Sequence, residues 1–262
     1  DKSYRQIDRR LGKDLQKEQG SGGDLFLARY RWAEVKEQHF ERQRLRRFDE
    51  NIQNQAAQLD RFYFLQRLRL SCAMLDRQRI LQARYQLNLS DDWIRHLEAQ
   101  DFFGEPVIRL YYIIYRTLAE EEEEAHFVEL KKGMAAEGRQ IPLKDLHDIY
   151  LFAINYCARK IRQGNAAYVE EAQQLYRSGI EQGILIEEGV LSPWAFTNMV
   201  KLSLRMEQYT QIEQFIEQYA PLLPEAFREN ALHYNLAELY YYTGRFEQAQ
   251  EQLLRVALTD LN

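Results

Sequence analysis

Between Gly23 and Gly104 the chain contains neither glycine nor proline. A strand-and-turn protein needs those residues every few positions to reverse direction, so a stretch this long without them is built from helices. The whole sequence of 262 residues holds only 12 Gly and 5 Pro, and it shows no sustained two-residue alternation of the kind that marks a strand. Apolar residues make up 45% and charged residues 29%, enough for a continuous core under a well-solvated surface. No run approaches the ~18 apolar residues of a membrane span, and no signal peptide is visible.

The stretch Asn230 to Leu258 is the clearest local pattern. Leu232, Leu236, Leu239 and Tyr240 recur at spacings of three and four, with Ala237 beside them, as on one helical face. Thr243-Gly244 breaks that helix, because glycine enters the left-handed conformation without a Cβ clash. Phe246, Ala249, Leu253, Val256 and Ala257 then repeat the pattern. Two short amphipathic helices joined this tightly lie antiparallel. A pair of that size cannot bury its own apolar face, so it must stack on neighbours.

This stretch resembles a tetratricopeptide repeat, a helix-turn-helix unit. Asn235, Leu236, Ala237 and Tyr240 match the first-helix signature; Gly244, Phe246 and Ala249 match the turn and second helix. His233 stands where Trp is usual and Leu261 where Pro is usual. A second copy fits over 192–224, with Phe196, Asn198, Met199, Val200, Tyr209, Ile212, Ile216 and Pro224; Glu207 replaces the usual Gly and Ile212 the usual Ala. A looser third copy covers 143–183, where Asn165-Ala166-Ala167 lengthens the turn after Gly164. The chain as a whole also resembles uncharacterised bacterial proteins of this repeat type. The resemblance implies an all-α, right-handed superhelix of antiparallel helix pairs, a tetratricopeptide-like solenoid.

What the resemblance implies about function is a groove. Tyr234, Glu238, Tyr241 and Tyr242 fall where the family lines its concave face, and by the same register Trp194, Thr197, Lys201 and Arg205 line the preceding unit. Asn198 and Asn235 match a position at which the family often binds ligand backbone. The expected activity is non-covalent holding of a protein or peptide partner, without catalysis or cofactor. The competing account of the same tyrosines and tryptophan is packing between repeats.

Before residue 143 the pattern is less regular. Residues 2–19 have helix-forming composition, and Gly20-Ser21-Gly22-Gly23 reads as a flexible break. Asp24 is placed to cap a helix running to about Phe48. A strongly apolar helix follows from about Ile52 to Leu81, with Leu59, Phe62, Tyr63, Leu65, Leu68, Cys72 and Leu75 as its apolar set, then a connector over 85–89. Ser90 with Asp91-Asp92 reads as an N-cap and acidic first turn. Pro106 opens a helix that is apolar nearly all round and therefore central. Gly138 and Pro142 separate this part from the repeats, giving three regions: 1–89, 90–142 and 143–262.

Charge divides unevenly. Residues 1–89 carry 19 Lys/Arg against 12 Asp/Glu, whereas residues 90–262 carry 16 against 28. The basic half makes a nucleic-acid-associated adaptor the first alternative; the second is an enzyme built on a helical scaffold, and a structural spacer in a larger assembly is also open. Arg42, Arg44, Arg46 and Arg47 could meet phosphates, but Glu37, Glu41, Asp49 and Glu50 lie within helical reach, which favours a solvated, salt-bridged helix. Glu123-x-x-His126 is half of a di-iron carboxylate motif, and no second half exists: none of His39, His96, His147 and His233 has Glu three residues before it. No metal is expected. Cys72 and Cys157 sit in apolar helical stretches and read as core residues of a reducing, cytoplasmic compartment. Repeat arrays close on a polar capping helix; none follows Leu258, so the sequence reads as part of a longer protein.

Overall fold

The computed structural model describes residues 9–10, 22–43, 48–81, 90–99 and 102–257. These residues are almost entirely helical. They belong to two compact units, Asp1–Ile149 and Tyr150–Asn262, that divide within one helix.

In the first unit, α1 (Gly23–Gln43) packs along α2 (Phe48–Leu81); Leu25, Phe26 and Ala33 are buried on α1, and Leu65, Leu68, Cys72 and Leu75 on α2. Asn51 Nδ2 reaches across to the Ala33 carbonyl at 3.0 Å. Two expectations are corrected here. Gly22 and Gly23 are buried rather than a loose break: a Cβ at Gly22 would lie 2.7 Å from Pro142 Cγ, and one at Gly23 2.7 Å from Gln66 Nε2. The helix starts at Gly23, so Asp24 sits in its first turn instead of capping it.

Ser90 does cap α3 (Asp91–Ala99): its Oγ accepts from the Trp93 amide at 3.2 Å. Trp93, His96 and Phe102 gather round Phe64 of α2, with ring centroids 5.0–5.6 Å away. Pro106 begins α4 (Pro106–Ala119), which buries Val107, Ile108, Leu110, Tyr111, Ile113, Ile114, Thr117 and Leu118, the expected central helix. It packs between α2 and α5 (Glu124–Glu137). The acidic run closes α4 and opens α5. Glu120 pairs with Arg116 and His126, and Glu123 caps the next helix by accepting from Ala125 N.

A 3₁₀ turn at Gly138–Gln140 leads to α6 (Leu143–Arg162), whose first turns belong to the first unit. There Asp145, nearly buried, pairs with Arg69 of α2 and accepts a hydrogen bond from the Tyr111 hydroxyl of α4 at 3.3 Å. This division at 149/150 differs from the expected boundaries at 89 and 142.

The second unit continues with the rest of α6, then α7 (Ala167–Glu181), α8 (Pro193–Arg205), α9 (Tyr209–Tyr219), α10 (Glu225–Tyr242) and α11 (Phe246–Leu253). Packing runs along the series: α8 touches α7, α9 and α10; α10 touches α8, α9 and α11. Three helix ends share one hydrogen-bond pattern. The amide of a left-handed residue bonds back three residues and the next amide bonds back five: Gly164 and Asn165 to Ile161 and Lys160, Glu207 and Gln208 to Leu204 and Ser203, Gly244 and Arg245 to Tyr241 and Tyr240. That is the Schellman arrangement. Its left-handed residue has φ +93° at Gly164, +58° at Glu207 and +74° at Gly244.

Between α7 and α8 the chain forms a feature that hydropathy alternation does not reveal. Strand β1 (Ile186–Glu187) pairs antiparallel with β2 (Val190–Leu191) through Glu188-Gly189, both at positive φ, which is the type I′ geometry. Ile186 faces Leu191, and Leu191 is fully buried. Cys72 and Cys157 form no disulfide and are buried, as expected of core residues; burial pushes the Cys72 thiol well above its usual pKa. Helix 2–19 (residues 9–10 apart), the connector 85–89, Arg44, Arg46, Arg47 and the segment from Leu258 onward lie outside the described residues.

Candidate partner-binding face

Helix α8 begins at Ser192-Pro193, with Pro at the position whose amide needs no intrahelical acceptor. Its buried side chains are Phe196, Met199, Val200, Ser203 and Leu204, spaced three and four apart on one side. That inward set fixes what faces outward. Trp194, Asn198, Lys201 and Arg205 recur on the opposite side, all exposed, with Trp194 at 81%. Thr197 lies between the two sets and is half-buried.

Helix α10 carries Tyr234, Glu238, Tyr241 and Tyr242 and does not repeat this layout, since Asn235, at the position that Asn198 holds on α8, is buried. Tyr241 and Tyr242 are exposed and sit edge-to-face, with centroids 6.0 Å apart; Tyr241 also meets Phe246 at 5.7 Å. Tyr234 and Glu238 are half-buried.

The two helices are joined by specific contacts. Lys201 Nζ stands 5.5 Å over the ring of Tyr234. The Tyr234 hydroxyl donates to Glu238 Oε1 at 3.0 Å. Burial and the neighbouring Glu238 carboxylate raise the Tyr234 pKa, so the phenol stays neutral and a donor. Asn198 Nδ2 donates to the Tyr176 hydroxyl of α7 at 3.0 Å. Tyr176 is nearly buried, and its place here follows from the packing of α7 on α8, which no spacing in the sequence announces.

Asn235 departs from its expected role. It is fully buried, and its Nδ2 donates to the Ala231 carbonyl at 2.7 Å and to Thr197 Oγ1 at 3.3 Å. The amide therefore locks α10 to α8 from inside. Its Oδ1 and the Glu238 Oε2 are buried acceptors with no hydrogen-bond partner among the described residues, two positions where an N–H donor would be favourable. His233 is half-buried and faces α11, with Nδ1 2.7 Å from Gln252 Oε1.

On another side of α8, a cleft of about 300 Å³ opens between α7 and α9. Arg177, Glu181 and Tyr219 line it together with Met199 and Phe215. The Arg177 guanidinium is held by Gln208 Oε1 at 2.8 Å. Among the described residues no group of three or more His, Cys, Asp and Glu could hold a metal ion, and no helix is long and apolar enough to cross a membrane. His126 bonds Glu120 at 2.9 Å, away from the Glu123 of its sequence motif.

Compared with known proteins, the chain matches no family model, no curated protein and no solved structure.

Proposed function

We propose that the protein is a scaffold that holds a peptide or protein partner, without covalent chemistry, on the face shared by α8 and α10. The observation that carries this reading is the exposed side of α8, formed by Trp194, Asn198, Lys201 and Arg205, joined through the Lys201–Tyr234 contact to α10, which carries the exposed Tyr241 and Tyr242. The exposed residues of the two helices include an indole at 81%, a lysine, an arginine and two tyrosines, the composition of a contact surface. Aromatic and Arg side chains give large contact area at low entropic cost.

In this reading the helix pairs α6/α7, α8/α9 and α10/α11 are tetratricopeptide-like units stacked as a right-handed superhelix, with the first helix of each pair lining the concave side. The shared turn geometry at Gly164, Glu207 and Gly244 supports it, since one repeated elbow is what a stack of equivalent hairpins requires.

The test starts with capture of partners by the full-length protein from its own cells, with mass spectrometry to identify them. Binding of the recovered partner is then measured against a variant carrying Tyr234→Ala, Tyr241→Ala and Lys201→Ala together. Loss of roughly 100-fold in affinity is expected, at about 1 kcal/mol for each truncated anchor. Unchanged affinity removes the face from consideration. Steep loss of binding with added salt, together with recovery of nucleic acid, would favour an adaptor of the basic N-terminal half instead.

A further inference from the structure

Helix α2 has two apolar sides. Phe64, Leu65, Leu68, Cys72 and Leu75 are buried among its neighbours in the first unit. The other side carries Ile52, Leu59, Tyr63 and Leu70, which are 36–57% exposed. Ala56 is exposed between them, and Gln66 and Ala73 are half-buried. Positions 52, 56, 59, 63, 66, 70 and 73 alternate steps of four and three, which is the two-per-heptad seam of a coiled coil. At 3.6 residues per turn they fall within a band about 100° wide. Apolar side chains aligned this way on a solvent face mark an interaction surface.

The order of residues along the seam specifies its occupant. An antiparallel pair of α2 helices, related by a two-fold axis between Phe64 and Leu65, sets Ala56 against Ala73 of the second copy and Leu59 against Leu70 of the second copy. Tyr63 then lies across from the one polar seam residue, Gln66. Small faces small and leucine faces leucine, so the layers fill evenly. The same register places Asp60 beside Arg67 of the second copy, twice by symmetry, in the flanking positions where charges choose partner and orientation. A parallel pair on the same seam would set Asp60 beside Gln55 and Arg67 beside Phe62, with no charge complement. We infer that the exposed seam of α2 is a self-association surface, on which two copies of this chain pair antiparallel over residues 56–73.

Sedimentation velocity and light scattering of the full chain at micromolar concentration read the oligomeric state. A dimer is expected. Leu59→Glu with Leu70→Glu replaces two exposed leucines by a good helix former, so the fold is retained and the dimer becomes a monomer; circular dichroism and the thermal midpoint report the fold. Asp60→Arg alone and Arg67→Asp alone each weaken the dimer about fivefold, and the two together restore it. A monomeric wild-type chain overturns the proposal, as does a dimer that survives the paired leucine substitution. Failure of the charge exchange to rescue, in a folded protein, overturns the antiparallel register.

Discussion

Glu207 holds a backbone conformation made for glycine. Its φ of +58° matches those of Gly164 and Gly244, and its hydrogen bonds are those of the other two turns. A side chain in that region costs about 1–2 kcal/mol. Glu207→Gly should therefore stabilise the protein by about 1 kcal/mol in urea denaturation, and Gly244→Ala should destabilise it by a similar amount. No destabilisation at Gly244→Ala would mean that turn relaxes freely. The sequence already marks these elbows through Gly164 and Gly244. Glu207 reads there as a departure from pattern, yet the bend survives it, because the turn is fixed by the packing of α8 on α9 and by backbone bonds as well as by its residue.

A helix interior offers the converse case. Gly179 lies in α7, where glycine lowers helix stability relative to alanine by about 1 kcal/mol. The structure accounts for it: a Cβ there would lie 2.7 Å from Leu185 Cδ1 and 3.1 Å from Tyr150 Cδ1. Gly179→Ala should lower stability by about 1–3 kcal/mol despite the better helix propensity, measured as the shift in denaturation midpoint. Helix type was legible from the sequence through spacing and the scarcity of glycine and proline. Which side of a helix faces inward was not. Leu59, Tyr63, Leu65 and Leu68 read together as one apolar set, and the fold separates them into an exposed and a buried side. Periodicity cannot make that separation when a helix is apolar on two sides. Asn235 failed for a related reason: an amide at a ligand-reading position looks the same in sequence as an amide that ties two helices together.

At the scale of the molecule, the division at 149/150 follows contacts that cross long stretches of sequence. Gly138 and Pro142 mark where the chain turns, but Asp145 binds the start of α6 to α2 and α4 through Arg69 and Tyr111. Burial raises the Asp145 pKa, outweighing the lowering by the Arg69 charge and the hydrogen bonds from Arg69 and Tyr111. The folded carboxyl thus holds its proton more tightly than the unfolded one. Asp145's contribution to stability accordingly falls as pH rises from its ordinary carboxyl range through its raised folded value. Asp145→Asn should flatten that part of the stability–pH curve. Arg69→Ala should cost about 3 kcal/mol near neutral pH by stranding the carboxylate, both read by denaturation across pH. The candidate face was legible only through a family's register, and the contacts that join α8 to α10, Lys201 to Tyr234 and Asn235 to Thr197, are what the fold adds to it. Glutamate codons lie one base from glycine codons, so a relaxed middle elbow has always been a single mutational step away from Glu207. The rest of the fold carries that strain of about 1–2 kcal/mol, and exchanging the one letter measures it directly.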